Sequence, residues 1–250
     1  MDVLDIVIVC LTSFIVSIIG VTTGGTSLII FPLLVWLGMG PKNAIATNMF
    51  ALIFLSLSGA IGFRKEIKPH YYKMIAFLSI LTICGSLIGA NFVLAIDENI
   101  LRRIIAIMMC IIACSLLFGK NLGIRETDKE ISKIKFLVGS LLVLILGVYG
   151  GFFSGGYVTL LTSVLILSFG LNFLQVALIT KVFNVFSSFV ACAFFYYHNL
   201  IDFPTALPLA ASMSLGAFFG ARLAVTKGNL WVRNLFIIAV IILAIKLLVF

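Results

Sequence analysis

Lys181 stands inside an otherwise apolar stretch, 174–197, about two helical turns from its start, and no carboxylate occupies any long apolar run of the chain. An ammonium withdrawn from water needs a partner or a wet surface. Asn184 follows one turn later, and the pair Thr180-Lys181 has a counterpart at Thr47-Asn48. A bound anion would complete the charge pairing. The competing reading is that Lys181 lays its stem along the chain and reaches a nearby polar interface, as Lys246 at the chain end does more readily.

Two breaks in the apolar pattern offer the second piece of chemistry. The first reads Gly20-Val-Thr22-Thr23-Gly24-Gly25-Thr26-Ser27, and the second runs from Gly147 through Tyr149, Gly150, Gly151, Ser154, Gly155, Gly156 and Tyr157 to Thr159. Glycine admits backbone angles closed to other residues and lets a ligand approach the main chain. A short helix starting after such a break presents unpaired N–H groups and the positive end of its dipole, which favours an anion. Thr22, Thr23, Thr26, Ser27, Ser154 and Thr159 could add hydroxyl donors. The plain alternative is that the glycines only pack helices and the hydroxyls bond their own backbone. The candidate binding set is therefore Thr22, Thr23, Gly24, Gly25, Thr26, Ser27, Thr47, Asn48, Gly151, Ser154, Gly155, Gly156, Tyr157, Thr180, Lys181 and Asn184.

What must position these residues follows from composition. The chain has 250 residues, 62% of them apolar and 10% charged, whereas soluble domains carry about 25% charged residues. All nine acids fall near the N-terminus or between apolar runs. About 20 helical residues cross a bilayer core, so the chain has room for roughly eight to ten crossings and no soluble domain. An all-α integral membrane protein is expected, with helices near 4–21, 27–38, 44–63, 72–95, 100–118, 134–149, 157–169, 174–197, 205–224 and 231–249. In such a protein the burial of Lys181 costs about 2.5–3.5 kcal/mol on insertion scales. The segments 27–38 and 157–169 are too short to span, and each follows one of the breaks.

The two halves resemble each other. Gly85-Ser-Leu-Ile-Gly89-Ala90 recurs as Gly216-Ala-Phe-Phe-Gly220-Ala221, Asn99-Ile-Leu-Arg-Arg103 as Asn229-Leu-Trp-Val-Arg233, and Ala44-Ile-Ala-Thr47 as Ala177-Leu-Ile-Thr180. Gly24-Gly25 likewise has Gly155-Gly156. Matches in one order at nearly one offset argue for duplication, although small residues recur in any packed membrane helix. The expected organisation is a first transmembrane repeat over 1–118, a cytoplasmic linker over 119–133 and a second repeat over 134–250. Each repeat holds about four spanning helices and one short interrupted helix. An odd number of segments per half makes the repeats inverted, the pattern of secondary transporters whose site lies where the breaks meet.

Charge orients the bundle. Arg64, Lys65, Lys68, Lys73, Lys120, Arg125, Lys129, Lys133, Lys135, Arg222, Lys227 and Arg233 fall on one side, against Lys42, Arg102 and Arg103 on the other. The first side is expected to be cytoplasmic and both termini external. The first run, with no basic residue before it and no cleavage pattern after it, reads as a retained helix. Short loops suggest a bacterial inner membrane, the bilayer lipid being one partner and a small anion the other.

Other classes find less support. The basic residues form no aromatic-interleaved face of the kind that binds nucleic acid. The five cysteines lie in apolar runs as small hydrophobes; Cys110 and Cys114 share a helix face, but no His or acid accompanies them as metal ligands require. His70 and His198 fall in loops. An intramembrane enzyme would need a nucleophile and base, or a metal cluster, facing one cavity, and no such set is visible. No cofactor and no enzymatic activity are expected.

With these residues in view, the chain resembles the sulfite exporter TauE/SafE family of membrane permeases. The resemblance rests on the Gly-Gly-Thr-Ser stretch with Pro32, the following Ala44-Ile-Ala-Thr47-Asn48, and the block ending at Arg222, and it covers about 4–249. It implies a multi-pass permease moving sulfite, sulfonates or other small organic anions. Thr22, Thr23 and Thr26 stand where relatives often carry more glycine, and the second break has no counterpart of Pro32. A passive anion channel on the same scaffold is the alternative.

Overall fold

The computed structural model describes residues 2–65, 69–116 and 132–228, with Trp231 and Asn234 beyond them; at His70 and 109–116 the description is of backbone only. Every regular element among the described residues is a helix: α1 (Val3–Thr23), α2 (Thr26–Trp36), α3 (Pro41–Phe63), α4 (Tyr72–Ala95), α5 (Glu98–Leu116), α6 (Lys133–Phe152), α7 (Tyr157–Phe169), α8 (Phe173–Tyr197) and α9 (Phe203–Lys227), with one 3-10 turn at Pro69–Tyr71. Six of them, α1, α3, α4, α6, α8 and α9, are long and apolar enough to cross a membrane. The short helices α2 and α7 follow the two breaks, as the sequence leads one to expect. Most of the expected helix at 231–249, most of the linker 119–133, the side chains of Cys110 and Cys114, and Lys246 lie outside what is described. α5 has 19 residues but carries Glu98, Arg102 and Arg103 in its first two turns, which leaves only 104–116 free of charge.

Local sequence sets the boundaries. α8 opens with a capping box in which Asn172 Oδ1 accepts from Gln175 N–H while Gln175 Oε1 accepts from Asn172 N–H, both at 3.0 Å. That arrangement satisfies two of the orphan donors of a helix start. Pro41 occupies the first turn of α3, where its missing N–H costs nothing. Gly24 ends α1 at φ 81° and Gly156 opens α7 at φ 77°, angles at which a side chain would be strained.

Contacts between helices fix their directions. α1 and α9 run parallel: Ser13 Oγ donates to Ser212 Oγ at 3.0 Å, and Cβ atoms added at Gly216 and Gly220 would strike the carbonyls of Phe14 and Ile18. α4 and α6 run parallel in the same way, with Phe77 stacked near Phe136 at 5.9 Å and Gly85 and Gly89 set against the backbone at Leu144 and Val148. The two glycine blocks that resemble each other in sequence thus make equivalent backbone-to-backbone crossings, close approaches that only small residues permit.

α3 and α8 are antiparallel at the centre. Gly59 meets Lys181, Ser56 meets Asn184, and Asn43 near the start of α3 reaches the Leu200 carbonyl just past the end of α8. Buried residues make up 61% and 67% of the spanning windows of α3 and α8, against 22% for α1, so the first two form the core and α1 faces outward. Leu4, Leu11, Ile15, Phe92, Leu137, Leu141 and Phe189 cover the outer surface. An apolar exterior of that extent suits lipid rather than water.

Candidate functional site

The breaks meet. Ser27, in the first turn of α2, and Ser154, just before α7, share a hydrogen bond with their Oγ atoms 2.9 Å apart. Asn48 Nδ2 donates to Ser27 Oγ at 2.9 Å and to Ser154 Oγ at 3.4 Å, leaving Asn48 Oδ1 buried without a partner. Thr159 Oγ1 donates to the Thr23 carbonyl at 2.7 Å, a second link between the halves. Gly24 has Val158 so close that an added Cβ would lie 2.5 Å from its Cβ.

Beside this junction lies a cavity lined by Gly20, Gly24, Thr26, Ser27, Leu52, Leu55, Ser154, Val158, Lys181 and Asn184. It measures about 10 Å³, room for about one water molecule. Lys181 is 1% exposed and is the one charged side chain among the buried described residues. It does not reach an interface; its stem packs on Gly59 of α3, and no described carboxylate pairs with it. Asn184 Nδ2 donates to Ser56 Oγ at 2.7 Å, and Thr26 Oγ1 is buried without a partner. The lysine amine, amide and hydroxyl groups and two helix starts thus line one small cavity.

Not every expected residue joins them. Thr22 and Thr23 hydroxyls bond the Ile19 carbonyl, and Thr180 bonds the Ala177 carbonyl, the local backbone bonding common for such residues in helices. Thr47 accepts from Asp202 N–H at 3.1 Å and fastens the start of α9. Gly151 packs against Ser86 of α4, and Gly155 lies under the Phe153 ring with its carbonyl accepting from Tyr149. Gly25 is the residue capping α2. Tyr157 is fully buried with its ring on Gly150 and its hydroxyl unpartnered.

Ser56, Gly59, Leu52 and Leu55 of α3 are lining or supporting residues that sequence reasoning missed. With Asn48 they follow the helical spacing of four, seven, eight and eleven, a stripe readable as one face. His198 caps the exposed end of α8, where Nδ1 lies 2.9 Å from the Phe194 carbonyl. Among the described residues no group of three or more His, Cys, Asp or Glu could hold a metal ion.

Among the described residues, six helices long and apolar enough to span, packed around a buried polar centre, define a multi-pass helical membrane protein. The model of the family "Sulfite exporter TauE/SafE" matches residues 9–247, and the chain belongs to that family of membrane transporters. It is similar to a probable membrane transporter protein of Haemophilus influenzae, 28% identical over 90% of this chain and 87% of that one. The probable membrane transporter protein YfcA of Escherichia coli K12 is 28% identical over 90% of this chain and 82% of its own. The probable membrane transporter protein ORF9 of a Sinorhizobium species is 25% identical over 94% and 89%. No solved structure matches the chain.

Proposed function

We propose that the protein carries a small anion, such as sulfite or a sulfonate, across a bacterial inner membrane by alternating access at the junction of the two breaks. The observation carrying this reading is the Ser27–Ser154 hydrogen bond beside Lys181: interrupted helices from both halves converge on the one buried lysine among the described residues. Lys181, Asn184, Asn48, Ser27, Ser154 and Thr26 would hold the anion. The helix starts of α2 and α7 add a favourable field.

The exchange of partners supports an inverted duplication. α1 lies along α9 as α6 lies along α4, and α3 crosses α8 antiparallel, which is the arrangement expected when the second copy enters from the opposite side. The end bearing Arg64, Lys65, Lys73, Lys133, Lys135, Arg222 and Lys227 would face the cytoplasm and the N-terminus the exterior. A cavity of about 10 Å³ leaves room for about one water molecule, which supports a carrier over a standing open channel.

Flux of sulfite and sulfonates into proteoliposomes tests the reading, with Lys181→Ala as the control. Saturable, Lys181-dependent flux at carrier rates is expected. Single-channel conductance would replace the carrier with a channel, and flux indifferent to Lys181→Ala would remove the site.

A further inference from the structure

A second cavity, of about 390 Å³, opens on the outer surface where α3, α8 and the start of α9 meet. From its shape, depth and rim we propose that it is a lipid site, holding one acyl chain of a phospholipid with an amine-bearing headgroup in the leaflet at the C-terminal end of α8.

The wall carries no charge. Phe50 and Phe54 of α3, Cys192 and Tyr196 of α8, and Ile201 and Phe203 are among the residues lining it, and no Asp, Glu, Lys, Arg or His joins them. Cys192 is 7% exposed and Tyr196 63%, so the groove has a buried floor and an open rim. The rings brace one another: Phe203 meets Phe50 at 5.6 Å and Tyr196 at 6.1 Å between centroids, and Phe50 meets Phe54 at 5.2 Å. A wall linked in this way resists collapse, and an empty groove would forfeit dispersion contacts along its length.

Depth and width select the occupant. Phe50 and Phe54 lie midway along α3 and Tyr196 near the end of α8, so the groove runs from the middle of the bilayer toward one surface. The medium at that depth is hydrocarbon. From Phe189 to Tyr196 the α8 wall is about 10 Å long. A volume of 390 Å³ over that length gives a section of about 40 Å², half of what a helix about 10 Å across occupies. A helix from a second copy is too thick to enter, whereas a hydrocarbon chain fits. Lipid tails and the wall are equally apolar, so retention comes from packing rather than from the hydrophobic effect.

The surface end of the groove sets the headgroup. Asp202 stands between the lining residues Ile201 and Phe203 and precedes the first turn of α9, with its Oδ2 accepting from Thr205 Oγ1. A carboxylate already sits at the positive end of the α9 dipole, which removes the local attraction for an anionic headgroup and offers an acceptor to an ammonium. A free fatty acid would bring its own carboxylate to the same place, with no cation in the lining to meet it.

Native mass spectrometry of the whole protein, released from mild detergent after incubation with dioleoyl phosphatidylethanolamine, dioleoyl phosphatidylglycerol or oleate, tests this. One phosphatidylethanolamine is expected to stay bound, in preference to phosphatidylglycerol by about fivefold, the worth of one charge at a membrane surface, with oleate weakest. Ala193→Trp, at an exposed lining position, fills the groove and should cut retention by at least the same factor. Asp202→Asn should bring the two phospholipids level while one still binds. Retention indifferent to Ala193→Trp overturns the proposal, as does a parent that holds phosphatidylglycerol or oleate as well as phosphatidylethanolamine; the lipid series on the parent decides even if a variant folds poorly. A dimer of the parent that Ala193→Trp dissociates also overturns it and gives the groove to a second copy.

Discussion

The stem of Lys181 lies across Gly59: a Cβ added to the glycine would stand 3.2 Å from Cγ and from Cδ of the lysine, and 2.8 Å from Val21 Cγ2. The missing side chain on α3 is therefore what makes room for the lysine stem beside the cavity that Lys181 lines. Gly59→Ala should displace Lys181 by a few tenths of an ångström. We expect a stability loss of about 1–3 kcal/mol, the usual cost of overpacking, and a larger proportional fall in anion flux than in folded yield. Parallel thermal denaturation and proteoliposome flux measure the two.

Lys181→Ala removes a buried charge that no described carboxylate pairs with. The fold should tolerate it, with a melting temperature equal to or above that of the parent. Anion affinity should drop by about 1.5–3 kcal/mol, the worth of a hydrogen bond to a charged group, which is roughly ten- to a hundredfold. Titration of ligand-dependent thermal protection reads this directly.

Ser27 and Ser154 bring their Oγ atoms to 2.9 Å. Cysteines at both positions, in a background freed of the native cysteines, should form a disulfide under mild oxidation, since a modest adjustment reaches the S–S distance of about 2.05 Å. If the breaks must part to admit substrate, oxidation will arrest flux and reduction will restore it. Flux unaffected by a complete crosslink, scored by gel shift after blocking free thiols, would contradict the carrier cycle.

Gly89→Ala and Gly220→Ala test the parallel crossings. An added Cβ would stand 2.0 Å from the Val148 carbonyl oxygen in the first case and 2.1 Å from that of Ile18 in the second. Backbone cannot step aside as a side-chain end can, so each variant should unfold several degrees below the parent in detergent, and the two losses should be similar.

The helices and their breaks were legible because bilayer crossing imposes length and apolarity on contiguous sequence, and the short α2 and α7 sit where Gly24-Gly25 and Gly155-Gly156 indicate. That Lys181 and Asn184 need a polar neighbourhood was legible because polar side chains in an apolar run are costly to bury, and both line the buried cavity. The hydrogen bonds of Thr22, Thr23 and Thr180 to their own helices were one of two readings, because a hydroxyl one turn from a carbonyl can turn inward or bond its own helix, and spacing does not distinguish the two. Thr47 shows the same limit: its partner, Asp202 N–H, is 155 residues away. Ser56 and Gly59 escaped notice because their importance comes from α8, antiparallel across the core, and not from their own neighbours in sequence.

The backbone crossings of α1 with α9 and of α4 with α6 interlock the molecule like clasped hands, each grip made of one finger from either side. Neither half of the chain owns a complete pair, so a rocking motion cannot take the N-terminal half as one rigid body and the C-terminal half as the other. In the proposed carrier cycle, the bodies that rock would each be assembled from both. Cutting the chain between α5 and α6 should for the same reason yield fragments that are inert when made singly and regain a working bundle when made together.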